Sequence, residues 1–416
     1  MTTAAKFCYV WPLNNVGGIE TLIYRHGIWL KAQGLGASLI TCMGVMDSAY
    51  AKAFDKVVAL ASHELDLPCL TDEEFSEVID KVAQRLDCHT TYHFVFFNHL
   101  GAYIASRLAE RFEGSRTTLY ILEDRILGPD RLEFVDEMND AGMVITMNDA
   151  CVVGHRELYG YRLEPSPEVI PLAVDVAQGM HVAGRDGVSV LAVARLHPMK
   201  EYVLGLIEAV AVLRGEGYEN LSLTVVGDGP LRPRLVDLVR ARGLEAHVRF
   251  AGTVAPAELP GYYSEADVFV GMGTTLLEAS SRGVASIVAI GHCREFKSPG
   301  FFSTTSDYYV GEAISDLHTQ PGIVYIRQLL ASPRLRQSIS EECRQKVERN
   351  FSTGSVMDKF ISKLLSVNGA VLCVPMPARP VRYGKVRRFL KRKLGRIPLA
   401  MSLGRLARKL LGGIDF

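Results

Sequence analysis

VSVLAVARLHPMKEYVLGLIEAVAVL, residues 188–213, decides how this chain folds. It opens with a nearly continuous apolar run, Val188–Leu196, as a strand buried on both faces requires. A loop with His197, Pro198 and Lys200 follows. Apolar residues then recur at 203, 206, 207, 210 and 213, the spacing of a helix with one buried side. Toward the C-terminus, Leu221–Gly227, Val248–Gly252, Ala266–Val270 and Ala285–Ile290 read as further strands. Toward the N-terminus lies an earlier series: Phe7–Trp11, Ala37–Thr41, His93–Asn98, Thr117–Leu122 and Gly142–Met147, with helical material between several of them. After the first of these, apolar residues fall at 19, 22, 23 and 30, with His26 between them. Alternating β and α implies a parallel sheet covered on both faces, and the alternation occurs twice. The expected architecture is therefore α/β, with two doubly wound domains and a boundary near Pro171–Gly187. Open sheets of this kind bind ligands beyond the C-terminal ends of their strands, so a cleft between the two domains is expected. The expected divisions are residues 1–172, 173–350, a crossover helix and linker at 351–375, and a tail at 376–416.

Composition agrees with a globular chain. The 416 residues are 48% hydrophobic and 22% charged, enough for two or three domains. No apolar run is long enough to span a membrane, and the N-terminal MTTAAKFCYVW is too weakly apolar for a secretory signal. The 8 Cys are scattered without a C-x-x-C pair, which reads as reduced thiols rather than a disulfide framework or zinc site. Cys88, His89 and His93 lie close together but lack the further ligands a zinc ion needs. Net charge is zero, yet its distribution is uneven. Residues 376–416 hold 12 Lys+Arg and one acid, Asp415, so the tail is strongly basic and the body acidic.

Four loops could carry chemistry. Asn14-Asn15-Val16-Gly17-Gly18 joins a strand to a helix, where glycines let a ligand approach the backbone and the helix N-terminus favours an anion. Taken alone it is also an ordinary tight turn. Arg195 and Lys200 straddle the loop after the opening strand of the second domain and could grip a diphosphate together. Val226-Gly227-Asp228-Gly229-Pro230 has Arg232 where a dinucleotide fingerprint needs its third glycine, so it reads as a structural turn. Gly271-Met272-Gly273-Thr274-Thr275 leads into a helix that Thr can cap, and exposed amides there can bond phosphate or sugar oxygens. Glu278, one turn further on, could accept hydrogen bonds from the vicinal hydroxyls of a ribose. The chain contains no D-x-D and no G-x-x-x-x-G-K-[ST].

With AVARLHPMK, LTVVGDGPLRPRL, VRFAGTV, ELPGYYSEADVFV and LLEASSRGV in this order, residues 188–290 closely resemble the nucleotide-binding half of the retaining glycosyltransferases of family 4. NNVGGIETLIYRHGIWLKAQG and VIPLAVD extend the resemblance to roughly residues 5–365. It implies the GT-B fold and a nucleotide-sugar donor (UDP-, GDP- or ADP-linked), with no other cofactor and no metal. By the same resemblance Arg195 and Lys200 bind the leaving diphosphate, while Gly17, Gly18, Gly271, Gly273, Thr274 and Thr275 line the donor. Glu278 holds the ribose, and Gly252, Thr253 and Val254 lie near the base. Three positions depart from the family pattern. Val270 stands where a first Glu is usual, in a shortened loop; Glu123-Asp124 falls near the usual histidine of the N-terminal domain; and Glu201 replaces a glycine.

The implied activity is retaining sugar transfer to a glycan or lipid-linked acceptor, in cell-surface polysaccharide or glycolipid synthesis. A catalytically weak GT-B binding module is the alternative, and Val270 speaks for it. An epimerase would need paired acid and base groups around one sugar carbon, and no pair is assignable. In the tail, Val386, Phe389, Leu390 and Leu394 share one helical face among cations, and Leu399, Leu403, Leu406 and Leu410 repeat the pattern. Helices of this kind lie on anionic membrane surfaces, so a peripheral position on the inner face of the cytoplasmic membrane is expected. No nucleic-acid partner is expected, because the body has no basic surface signal.

Overall fold

In the computed structural model the described residues are 6–12, 17–42, 51–60, 67, 70–128, 132–177, 187–367 and 374. Asn14, Asn15, Val16 and the 376–416 tail lie outside them.

The N-terminal domain is built on seven parallel strands. These are β1 (Lys6–Val10), β2 (Ala37–Thr41), β3 (Lys56–Ala59), β4 (Tyr92–Phe96), β5 (Arg116–Ile121), β6 (Val144–Thr146) and β7 (Glu168–Val169), in spatial order β3-β2-β1-β4-β5-β6-β7. Its helices are α1 (Gly18–Ala32), α2 (Asp72–Ala83), α3 (His99–Ala109), α4 (Glu133–Asp140) and α5 (Asp149–Tyr159). The C-terminal sheet comprises β8 (Val188–Val193), β9 (Leu221–Val226), β10 (Val248–Gly252), β11 (Val268–Gly271) and β12 (Ala285–Val288), in the order β10-β9-β8-β11-β12 and parallel throughout. Around it lie α6 (Tyr202–Gly215), α7 (Arg232–Ala241), α8 (Leu259–Glu265), α9 (Thr274–Ser281), α10 (Ile323–Ala331) and α11 (Pro333–Asn350). A small antiparallel pair, β13 (Lys297–Ser298) with β14 (Gln320–Pro321), stands apart.

Burial explains the strands. Every residue of β2, β4, β11 and β12 is buried, and Phe7, Tyr9, Phe94, Phe96 and Phe269 fill the layers between sheet and helices. On α6 the apolar positions 203, 206, 207, 210 and 213 are all buried, as the spacing demands. Asn98 and Asn148 cap α3 and α5, their side-chain oxygens accepting from Gly101 N at 2.8 Å and Cys151 N at 3.0 Å. In each sheet the chain switches direction beside the opening strand, β1 against β4 and β8 against β11, so the two openings are where ligands belong.

The chain crosses between the domains twice. Val174 N donates to Phe351 O at 2.9 Å, and Thr353 N to Val174 O at 3.1 Å, pinning outgoing and returning segments together. The returning helix α12 (Thr353–Ser366) then packs on the N-terminal domain, its Phe360 ring 4.8 Å from His26. Lys359 Nζ reaches Val169 O at 2.7 Å. Further contacts close the seam, including Asn148 Nδ2 to Tyr308 O at 3.1 Å and Ser315 Oγ to Glu157 Oε1 at 2.6 Å.

Candidate functional site

The second-domain strand is shorter than its apolar run, and the difference builds the site. β8 ends at Val193, so Ala194–Lys200 leaves the sheet and closes in a short 3₁₀ turn at Pro198–Lys200. Ala194 N still bonds Val226 O at 3.0 Å, and Leu196 N bonds Asp228 O at 2.9 Å, so the loop is fastened to the neighbouring turn. That turn needs its glycine: Gly227 has φ 122°, and a Cβ there would lie 2.0 Å from Ala194 O. The 226–230 segment is thus the structural support of the Arg195–Lys200 loop.

Arg195 crosses to the opposite wall. A Cβ on Gly17 would come 3.3 Å from its Cζ, and one on Gly18 would come 3.4 Å from Thr274 Oγ1. The two glycines therefore let both domains close on the same point. Lys200 is half-buried, and burial pulls its ammonium down to about 8, with Glu123 pulling it back up and Arg195 pushing it further down. Among the described residues neither Arg195 nor Lys200 has a hydrogen-bond or ion-pair partner for its side chain. Two unmatched cations on one loop, one of them against a glycine-lined wall, form a receptor for an anion.

The Gly271–Thr275 turn supplies donors beside them. Gly273, not a threonine, caps α9, with φ 64° and its N–H on Val310 O at 2.8 Å. Thr275 Oγ1 instead donates to Val193 O at 3.2 Å, tying α9 to the end of β8. The amides at the start of α9 lie beyond the reach of helix carbonyls, and Thr274 there sits beside Gly18 of the other wall. Val270 sits in β11 rather than in a shortened loop, fully buried, with Ile287 as its neighbour in β12. A carboxylate at that position would lie within the sheet, not in the cleft.

Glu278 is already engaged on both oxygens. Arg25 of α1 pairs with Oε1 across the domain seam, and Tyr263 OH donates to Oε2 at 2.8 Å. Gly252 ends β10 with φ 72° and accepts from Gly227 N at 2.8 Å. Thr253 beside it is exposed, and Val254 is partly buried against the core.

On the N-terminal wall, Glu123 and Asp124 follow β5. Asp124 is buried beneath Gly154 of α5, 3.5 Å from Arg125 Nε. Glu123 is half-buried; burial pushes its carboxyl up, Lys200 and Arg195 draw it down, and Asp124 and Glu20 push it up again.

Sequence reasoning missed four residues here. Glu20, in the first turn of α1, accepts from Trp11 Nε1 at 2.9 Å, and its other oxygen lies 3.0 Å from the space where a Gly17 Cβ would be. Burial raises its carboxyl. Glu312, buried, is pushed up to about 7 by desolvation and accepts from Val310 N at 3.3 Å. Lys200 feels its charge, and Asp124 pushes it up further. His292 holds φ 57°, and its imidazole is lowered first by burial and then by Arg125. Arg25 is the fourth. Glu20 had a signal, an acid two residues after the glycines in the first turn of a helix; the others had none. The Cys88 cluster is not a site: His93 is buried against Thr118 Oγ1 at 2.8 Å while Cys88 is exposed. Among the described residues no group of three or more His, Cys, Asp or Glu could hold a metal ion.

Residues 183–346 match the family model of glycosyl transferases group 1, a span that includes Arg195, Lys200, the Gly271–Thr275 turn and Glu278. An alpha-monoglucosyldiacylglycerol synthase of Streptococcus pneumoniae is 23% identical over 273 residues, 60% of this chain and 59% of that protein. A GDP-mannose-dependent alpha-(1-6)-phosphatidylinositol monomannoside mannosyltransferase of Mycobacterium tuberculosis is 34% identical over 112 residues, 24% of this chain and 29% of its own. The chain therefore spans less than two thirds of either relative. Among solved structures, Anabaena HepE in complex with UDP superposes with a TM-score of 0.63 at 16% identity, covering 87% of this chain and 100% of that one. The shared architecture is the GT-B fold.

Proposed function

We propose that this protein is a glycosyltransferase that moves a sugar from a nucleotide donor to a glycan or lipid-linked acceptor, with retention and without a metal. One observation supports this above the rest: Arg195 and Lys200, without side-chain partners among the described residues, share one loop, and Arg195 reaches the Gly17 wall beside the start of α9. Breaking a sugar–diphosphate bond builds negative charge on the leaving oxygens, and two fixed cations with preorganised amides stabilise that charge as a bound metal would. The acceptor then attacks on the face the diphosphate leaves, and the departing phosphate takes its proton. The group 1 match over the same loop supports the reaction class, and the glycolipid-making relatives support a lipid-linked acceptor. The basic, amphipathic 376–416 segment supports placing the enzyme on the inner face of the cytoplasmic membrane.

A thermal-shift screen with UDP-, GDP- and ADP-sugars tests donor binding, since ligand at 100 times its dissociation constant stabilises by roughly 2.7 kcal/mol. Transfer in excess EDTA and the anomeric configuration of the product test the finer claims. Stabilisation by none of the nucleotides would refute the proposal. A second reading, a binding module with little turnover, draws on Glu278, whose oxygens are held by Arg25 and Tyr263 rather than left open for a ribose. Stabilisation by a sugar nucleotide with neither transfer nor hydrolysis would favour it.

A further inference from the structure

Helices α1 and α9, one from each domain, start side by side: a Cβ on Gly18 would lie 3.4 Å from Thr274 Oγ1. About two turns along α1 and one turn along α9 they meet again, through Arg25 and Glu278. That ion pair is well covered, with 14% of the Arg25 side chain and 15% of the Glu278 side chain exposed. Arg25 Nη2 donates to Oε1, and Tyr263 OH donates to Oε2 at 2.8 Å. The vicinal hydroxyls of a ribose, to bond a carboxylate side by side, need both of its oxygens. With both oxygens bonded and the group largely covered, a ribose reaches Glu278 only if one of the two donors withdraws.

The two donors differ in their freedom to do so. Tyr263 is buried in the same domain as Glu278, its ring 6.0 Å from that of Phe269 and its face 5.4 Å from the Arg282 guanidinium. Arg25 arrives from the opposite domain on a long, flexible side chain. It also has a second anchor: Nη1 donates to Ala173 O at 3.3 Å, next to the Val174 crossing point. A guanidinium carries five donors, so releasing Glu278 does not leave Arg25 without a partner. We propose that Arg25 is a specificity-determining residue of this cleft: in the empty protein it occupies the Glu278 carboxylate, and a ribonucleotide must displace it to bind. Binding then exchanges a bond between the domains for a bond to the ligand. Run in reverse, the exchange helps the spent nucleoside diphosphate to leave, because Arg25 retakes Glu278. The proposal rests on the glycosyltransferase reading, with Glu278 as the ribose contact. Arg25 touches no reacting atom and acts through that carboxylate.

The test uses the full-length protein, its Arg25→Met and Arg25→Lys variants, and two ligands. One is whichever of UDP, GDP and ADP stabilises the wild type; the other is its 2′,3′-dideoxy counterpart, which lacks the vicinal hydroxyls. Calorimetry gives both dissociation constants, and the ratio of dideoxy to ribo is the readout. Damage to the fold or to the diphosphate grip shifts both ligands alike and leaves that ratio unmoved. If the pair leaves Glu278 free in ~10% of molecules or fewer, removing it tightens ribonucleotide binding roughly tenfold or more. Arg25→Met should therefore raise the ratio by roughly that factor, with the dideoxy affinity unchanged. Arg25→Lys, which keeps a cation but not the planar fork, should give a smaller rise, and it carries the test if Arg25→Met does not fold. The rise should vanish when Glu278→Gln is added, since the two residues act as one unit. An unchanged ratio would overturn the proposal and leave Arg25 as a tie between the domains. A ratio that falls would overturn it as well, since Arg25 would then orient Glu278 for the ribose. Both results leave the glycosyltransferase reading standing, whereas a wild type that binds none of the three nucleotides would remove that reading and the proposal together.

Discussion

Lys200 gives the site a pH signature that can be worked out in advance. Burial lowers its ammonium to about 8 in the empty cleft, and a bound diphosphate, bringing negative charge, must raise it again. Affinity for the diphosphate is then fully present below the free-state value and declines as pH rises through it. The loss is about tenfold for each further pH unit, until the value in the complex is reached. At pH ~9, one unit above the free value, the penalty is about 1.4 kcal/mol. Ligand ionisation does not confuse the measurement, because the second ionisation of a terminal phosphate lies near pH ~6 and is complete in this range. Calorimetric titration of the wild type with nucleoside diphosphate from pH ~7 to ~9.5 follows the effect directly, with the Lys200→Arg variant as control. A guanidinium stays charged throughout, so Lys200→Arg should bind without the break, whatever its absolute affinity. Lys200→Ala should lack the break as well and lose roughly 10²–10³ in turnover. Flat wild-type affinity over this range, or the same break in Lys200→Arg, would refute the assignment of Lys200 to the anion grip.

Glu312 should make stability pH-dependent in the opposite half of the scale. Its folded value of about 7 lies above the ordinary 4.5, so its contribution is full below the ordinary value and is lost as pH rises through 7, by up to about 3 kcal/mol. Chemical denaturation at pH ~5 and ~8 should show Glu312→Gln gaining on the wild type at the higher pH; an equal difference at both would contradict this. Lys346, buried in α11, donates from Nζ to Phe302 O, Thr305 O and Ser306 O, each at 2.9 Å. Lys346→Met strands those carbonyls and should cost about 3 kcal/mol or more in urea unfolding, against little change for a surface lysine such as Lys81. Truncation after Pro375 should abolish sedimentation with anionic liposomes at low salt and leave nucleotide binding intact; full-length protein that ignores those liposomes would end the membrane proposal.

Strands rich in apolar and β-branched residues were the legible part of this fold. β1, β2, β4, β8 and β9 announce themselves because apolar and β-branched residues fill them. β3 and β7 do not, for physical reasons: both lie at sheet edges, where β3 exposes Lys56 and Val57 and β7 has only Glu168 and Val169. Arg195 and Lys200 were readable because they share one loop whose position follows from the strand before it. Arg25 and Glu278, 253 residues apart, were not readable as a pair, because their contact exists only once two independently patterned domains have docked. Glu312 is equally silent, since Asp124 and Asn148, far from it in sequence, come near it only in the folded chain.

Val270 shows how a position counted along the chain can misplace a side chain. Read along the chain, it looked like a carboxylate lost from the donor site. In the fold it is a core residue of β11, and an ion there would be stranded within the sheet. The cleft's acids come mainly from the other wall: Glu20, Glu123 and Asp124 belong to the N-terminal domain, while Glu312 comes from the C-terminal one. Arg195, Lys200 and the first amides of α9 come from the C-terminal domain, and Glu123 comes from the wall across the cleft. Arg25 and Glu278 join the two domains through α9, the helix that Gly273 caps at its start.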